Sequence, residues 1–315
     1  MMNIFHRQHI LQAIDLKNLD ELILCQWQAF LDYSKKHIHV PHPMHLYFPK
    51  VQGDCHIKAG FRHDGENIII KVATGFYQNP LLGLPSSDGT ILVYSQKDGL
   101  LKAILSDGGI LTTLRTALAA AVAIQHTPWS INNISIIGTG LLAEQILSIM
   151  QILYPKATFT LWGRSRDKAQ KIGHIHKDII INLSLDEIIN IGDVIITATA
   201  SSEPIIKRMN TAKKTHIIAL GADDKHKHEC APEIFKEADA IIVDAKDQAL
   251  HFGDTSHALK NNFIAYDNLL ELGSLHAKQL SESKNIITNL TGIAAQDIAI
   301  VEYALKALAL KCLNN

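Results

Sequence analysis

Apolar positions Ile10, Leu11, Ile14, Leu19, Leu22, Ile23 and Trp27 recur at helical spacing through the start of the chain, which predicts one or two amphipathic helices packed on a sheet. From Val40 to Leu105 the rhythm shortens. Runs such as Ile68-Ile69-Ile70-Lys71-Val72 and Thr90-Ile91-Leu92-Val93-Tyr94, broken by Gly and Pro, predict strands and loops. Thr112 to Gln125 returns to a helix, with alanines on every side that permit close packing, and Pro128 stops it. From Asn132 onward strand and helix alternate. Strands are expected at Ile134 to Ile137, Thr158 to Trp162, Ile179 to Ile181, Val194 to Thr197, Ile217 to Leu220 and Ala240 to Val243, with a helix from Leu141 to Leu153 after the first. Apolar runs of this length between helical segments define an α/β fold with a doubly wound parallel sheet, covered on both faces. A last amphipathic helix, from about Ala295 to Leu310, is expected to fold back onto the N-terminal part.

A chain of 315 residues is long enough for two domains at roughly 150 residues each. With 47% hydrophobic and 19% charged residues, its composition is that of a globular protein and excludes disorder or a collagen-like repeat. Lys and Arg total 30 against 31 acidic residues, so no global field selects nucleic acid or an anionic membrane, and any phosphate site must be local. No apolar stretch approaches the roughly 18 residues that span a bilayer. Cys25, Cys55, Cys230 and Cys312 show no C-x-x-C spacing and the start shows no signal-peptide pattern, so a reduced, cytoplasmic protein is expected. The histidines His37, His39, His42 and His45 are broken up by Pro41 and Pro43 without a cysteine or carboxylate cluster, and no metal is expected. His226 and His228 sit among lysines and read as a solvated loop.

Gly138-Thr139-Gly140-Leu141-Leu142-Ala143 follows an apolar strand and opens a helix, the context that the G-x-G-x-x-G/A dinucleotide fingerprint requires. Gly138 serves the tight turn, Gly140 the backbone approach to a pyrophosphate, and the amides of Leu141 and Leu142 the helix end that attracts it. This makes the parallel sheet a Rossmann-type one. At the tip of the next strand the chain reads Trp162-Gly163-Arg164-Ser165-Arg166, without the acid that usually bonds a ribose 2'-hydroxyl. Arg164, Ser165 and Arg166 suit a 2'-phosphate, so NADP(H) is favoured, with NAD(H) possible through Asp167 just beyond.

Lys71 and Arg115 interrupt apolar elements, and a charge there is costly unless paired. Each therefore calls for an anion, either a substrate carboxylate or an Asp or Glu of the chain itself. Together with Asn79-Pro80, Gly83-Leu84-Pro85-Ser86, Leu111-Thr112-Thr113-Leu114-Arg115-Thr116-Ala117, Gly221-Ala222-Asp223 and Thr291-Gly292-Ile293-Ala294-Ala295-Gln296-Asp297, these residues resemble the ornithine cyclodeaminase and mu-crystallin family from Lys71 almost to the C-terminus.

The resemblance implies a Rossmann domain at 126–292 and a second α+β domain built from both chain ends, 1–125 completed by about 293–315, which binds substrate and forms a homodimer. It also implies that Lys71 and Arg115 hold a substrate carboxylate and that Asp223 moves a proton beside the reacting carbon. Further cofactor contacts implied by position are Ser86, Thr116, Thr199, Leu220, Gly221, Lys227 and Leu290. One departure stands out: the family's arginine near 40–46 is absent, and His42 or His45 stands in its place. The stretch Gly75-Phe76-Tyr77-Gln78-Asn79-Pro80 looks more like the imine-reducing branch of the family. Reduction of a small ketimine or cyclic imino acid by NAD(P)H is the leading expectation. Ornithine cyclodeamination with recycled NAD is the alternative, alanine-dehydrogenase chemistry a neighbour of both, and a non-catalytic crystallin-like binder a third possibility.

Overall fold

A computed structural model describes residues 2–313 apart from Lys177, Asn182 and Ala277, with the backbone alone for 311–313. In chain order its elements are β1 (Asn3–His6), α1 (Arg7–Ala13), α2 (Leu19–Ser34), β2 (Ile38–His39), β3 (Met44–Phe48), β4 (Gly53–Arg62), β5 (Asn67–Phe76), β6 (Ser87–Ser95), β7 (Leu101–Ser106) and α3 (Ile110–Ile124). There follow β8 (Asn133–Ile137), α4 (Leu141–Leu153), β9 (Thr158–Trp162), α5 (Arg166–Ile175), β10 (Ile179–Ile180), α6 (Leu185–Ile191), β11 (Val194–Thr197) and β12 (Thr215–Ala219). The last elements are β13 (Ala240–Val243), α7 (Lys246–Ala249), α8 (Gly253–Lys260), β14 (Leu269–Glu271), β15 (Asn285–Asn289) and α9 (Ala294–Leu313). They form two compact units, one running to Arg115 and resuming at Ile293, the other from Thr116 to Gly292.

The first unit is a mixed sheet in the order β1-β7-β6-β5-β4-β2, with β3 also on β4. Its β1–β7 pairing is parallel and the rest antiparallel. In α2 the buried Leu19, Leu22, Ile23, Gln26, Ala29 and Phe30 make one stripe, and Asp20 and Glu21 complement the positive end of the helix. Helix α9 packs on α1, α2, β4 and β5, so the C-terminal segment does return to the N-terminal part. At Gly60 of β4 a Cβ would stand 2.7 Å from the His39 carbonyl oxygen and 3.1 Å from Ile298 Cδ1, so glycine is what the close pairing with β2 requires.

The second unit is an eight-stranded sheet, all parallel, in the order β10-β9-β8-β11-β12-β15-β13-β14. Strands β8, β11, β12 and β13 are buried at nearly every position, which is why they read as unbroken apolar runs. The chain order across the sheet reverses its course between β8 and β11, the position at which open α/β sheets bind ligands beyond the carboxyl ends of their strands. Strand β12 starts two residues earlier than its apolar run because His216 is an interior residue. Its ring nitrogens lie 2.8 Å from both Thr127 Oγ1 and Thr288 Oγ1, and burial drives its pKa down to about 3, so it is neutral. No helix among the described residues is long and apolar enough to cross a membrane.

Candidate active site

In the second unit the residues singled out from sequence gather at the carboxyl ends of the strands. Gly138 ends β8 with φ +138°, and a Cβ there would lie 2.5 Å from the Ala198 carbonyl oxygen, so only glycine makes the turn. Gly140 is the N-cap of α4, receives no side-chain cap, and faces open space where its Cβ would be. The first turn of α4, with Leu141 and Leu142, thus receives no side-chain cap, and Leu141 is 63% exposed. An uncapped helix end behind an open glycine fits a dinucleotide pyrophosphate. Beyond β9, Ser165 caps α5 by accepting from the Lys168 amide at 3.4 Å, while Arg164 and Arg166 are exposed. Arg166 borders an open cleft with Trp162, Gly163, Ala169, Ile181 and Leu183.

The loops after β11 and β12 are tied together by Glu229, a residue that the sequence did not mark. Its carboxylate accepts from Thr197 Oγ1 at 2.7 Å, the Thr199 amide at 2.7 Å, Thr199 Oγ1 at 2.8 Å and the Gly221 amide at 2.6 Å. The Thr199 hydroxyl is therefore already engaged. The Leu220 amide donates to Thr197 and that of Leu290 to Ala219, which sets Leu220 and Leu290 side by side, both buried. Behind Glu229 lies Asp254, wholly buried, which accepts from the Glu229 amide at 2.8 Å. Burial, reinforced by the charge of Glu229, pushes its carboxyl up to about 8.

Asp223 is half-exposed and accepts from Lys227 Nζ at 2.7 Å, while Asp224 accepts the amides of His226 and Lys227 and so shapes the turn between them. The expectation of a solvated histidine loop holds for His226 and fails for His228. Its side chain is 13% exposed and stacks on His257 with ring centroids 4.1 Å apart, because the chain dives toward Glu229 directly after it.

In the first unit Lys71 of β5 and Arg115 of α3 meet at one carboxylate. Lys71 Nζ lies 2.7 Å, and Arg115 Nε 3.3 Å, from Oδ1 of Asp297 in the first turn of α9, and all three are buried. Arg115 Nη1 is also 3.4 Å from Gln296 Oε1. Burial lowers the Lys71 pKa, and Asp297 opposes that fall. The Asp297 carboxyl, which burial alone would raise, is held below its usual range by Lys71, Arg115 and Lys58. The structure sets the chain's own Asp297, one of the two kinds of anion open to the sequence reading, against both cations. Asp297 was in view as part of a motif, yet nothing local identified its partners, which lie far away in sequence. Ammonium and guanidinium keep further donors beyond those spent on Asp297. His45 lies on β3 against His56 with ring centroids 4.2 Å apart, whereas His42 is exposed in the preceding loop. Ser86 accepts the Phe76 amide just before β6, and Thr116 follows Arg115 on α3.

An open glycine turn at the switch point of a parallel sheet defines a dinucleotide-binding α/β protein. The family described as ornithine cyclodeaminase/mu-crystallin matches residues 8–308, and the chain belongs to that family. It is 30% identical over 278 residues, 85% of this chain and 84% of the relative, to an uncharacterized cyclodeaminase of Sinorhizobium fredii. It is 25% identical over 301 residues, 92% of each chain, to a Delta(1)-pyrroline-2-carboxylate reductase of Bacillus cereus. An archaeal alanine dehydrogenase dimer with bound NAD superposes with a TM-score of 0.85 at 23% identity, over 98% of this chain and 97% of the other, and so shares its fold.

Proposed function

We propose that the protein is an NAD(P)H-dependent reductase that converts a small ketimine or cyclic imino acid to the amino acid by hydride transfer at the C=N carbon. The observation that carries this reading is the buried Lys71 and Arg115 pair with donors to spare beyond Asp297, a combination suited to a substrate α-carboxylate. Fixing that carboxylate orients the adjacent carbon. Asp223 passes a proton to the imine nitrogen, and the Lys227 ammonium hydrogen-bonded to it stands behind as donor. A bound nicotinamide supplies the hydride. Gly138, Gly140, Leu141 and Leu142 would hold its pyrophosphate, with Thr199, Leu220, Gly221, Lys227 and Leu290 at the strand ends and Ser86 and Thr116 as further contacts. Arg164, Ser165 and Arg166 favour NADP(H) over NAD(H), since no acid follows β9 directly. The protein acts as a homodimer, as the alanine dehydrogenase of the same fold is a dimer. The free thiols of Cys25, Cys55 and Cys230 suit a reducing cytoplasm.

A second reading, ornithine cyclodeamination with recycled NAD, is favoured by the cyclodeaminase relative. The experiment follows nicotinamide absorbance with NADPH or NADH and a panel of cyclic and acyclic imino acids, beside ammonia release from ornithine with catalytic NAD. Stoichiometric NADPH loss, with an NADPH preference that weakens by about tenfold in the double variant Arg164→Ala, Arg166→Ala, is the expected result. Ammonia and proline without net absorbance change would establish the cyclodeaminase instead, and silence in both assays with intact NADPH binding would favour a binding protein.

A further inference from the structure

The carboxylate of Glu229 is buried among the strand ends of the second unit, and no step of the reduction uses it. Its two oxygens serve different loops. Oε1 accepts from the Thr199 amide and hydroxyl just beyond β11, and Oε2 from the Gly221 amide after β12 and from Thr197 Oγ1. Hydrogen bonds to an ionised carboxylate are roughly twice as strong as neutral ones, and two of these four donors are main-chain amides, fixed by the backbone. The packing at Gly221 is equally tight. A Cβ there would lie 1.9 Å from the Thr199 carbonyl oxygen and 2.6 Å from Glu229 Oε1, so no side chain fits between the two loops.

Glu229 also closes a loop. The segment 221–229 leaves β12 at the Gly221 amide and is tied back to that amide by the side chain of its own last residue. Within it Lys227 is joined to Asp223, and Asp224 takes the amides of His226 and Lys227, which braces the loop from inside. Among its ties to the rest of the unit are the His228 amide on the Ser201 carbonyl at 2.6 Å and the Gly253 amide on the Asp224 carbonyl at 3.4 Å. Glu229 adds a charged one. Burial raises its pKa, and its donors oppose that rise. Asp254 behind it keeps a proton, since two buried carboxylates side by side hold one charge between them, and the acid with four donors takes it.

We propose that Glu229 is a positioning residue for the proton transfer: by tying the start and the end of the 221–229 loop to the end of β11, it holds Asp223 in its place beside the imine nitrogen. This rests on the assignment of Asp223 as the proton donor. The role needs a carboxylate. Whichever way a glutamine amide is turned, its NH2 group faces a main-chain N–H, that of Thr199 or that of Gly221.

A double-mutant cycle tests this on turnover per bound NADPH with the imine that is reduced or, for a cyclodeaminase, on ammonia released per bound NAD. Glu229→Gln should lower kcat by about tenfold or more with the substrate KM within about threefold, and adding it to Asp223→Asn should slow that variant by less than about threefold. Effects that multiply, or an unchanged kcat in Glu229→Gln, would overturn the proposal and leave Asp223 in its role. A fully active Asp223→Asn protein would remove that role and the proposal together. Thr197→Val, which withdraws one donor from the same carboxylate, takes the place of a Glu229→Gln protein that does not fold. It should give the same pattern with a loss of about threefold, and an unchanged kcat there counts against the proposal. Hydrogen exchange reads the loop without turnover. The amides of His226, Lys227 and His228 should exchange about tenfold or more faster in Glu229→Gln while those of β8 keep their rates, and equal rates in the loop would overturn the pinning.

Discussion

The glycine turn after β8 and the cluster beneath α9 both gather positive groups, from opposite materials. In the second unit the groups are backbone amides at a helix end, specified by a handful of consecutive residues and uncharged before a ligand arrives. In the first unit they are full charges, brought to one face from β5, α3 and α9, and they need Asp297 to be tolerable in the fold at all. A site of amides is stable by itself and loses only ligand when altered. A site of buried cations joins binding to stability, so a change to one of its members is felt in both.

The sharpest test of that contrast is at the residue proposed to move the proton. Asp223→Asn should lower turnover by about a hundredfold or more while leaving the NADPH Kd within about threefold, as steady-state kinetics and fluorescence titration would show. An active Asp223→Asn protein would remove the assigned role. Next comes Asp297→Ala, which strands two buried cations and should cost about 3–5 kcal/mol in urea unfolding, with Asp297→Asn costing less because an acceptor oxygen remains. A pair of alanine substitutions then divides the glycine turn. Gly138→Ala, strained by its positive φ and by the Ala198 carbonyl, should lose about 1–3 kcal/mol of stability. Gly140→Ala, with φ −94° and no neighbour in the way, should change stability by less than about 0.5 kcal/mol, yet weaken NADPH binding by about tenfold.

A further effect concerns pH. Because burial holds the Asp254 carboxyl up near 8, the folded protein keeps a proton that the unfolded chain releases above about pH 4. Asp254 therefore makes unfolding easier as pH rises from about 4 to about 8, and Asp254→Asn should flatten that part of the stability profile measured by denaturant midpoints.

What could be read from sequence was what local pattern carries. Strands β8, β9, β11 and β13 and helix α4 follow from apolar runs and a glycine turn whose causes lie within a few residues. Strand β1 escaped because three of its four residues are exposed and only pairing with β7 makes it a strand. Strand β15 escaped because it is framed by Asn285 and Asn289. The Asn285 amide donates to Asp239, and Asn289 Oδ1 accepts from Thr255, so polar residues stand buried at both ends of the strand. The site shows the same division. The glycine turn before α4 was legible from its own residues, and the need of Lys71 and Arg115 for an anion was legible from their surroundings. That Asp297 meets that need, and that Glu229 joins the loops after β11 and β12, depends on contacts no sequence window contains.

Lys71 and Asp297 are separated by 226 residues, and the ribosome must cross that interval before the cation meets its acid. At about 5–20 residues per second the wait is roughly 10–45 s. During it every strand of the parallel sheet is made, while the sheet that carries Lys71 stands in the emerging polypeptide without α9. Translation thus imposes an order in which the nucleotide-binding half is complete first, and the last helix, on arrival, closes the half that was begun before it.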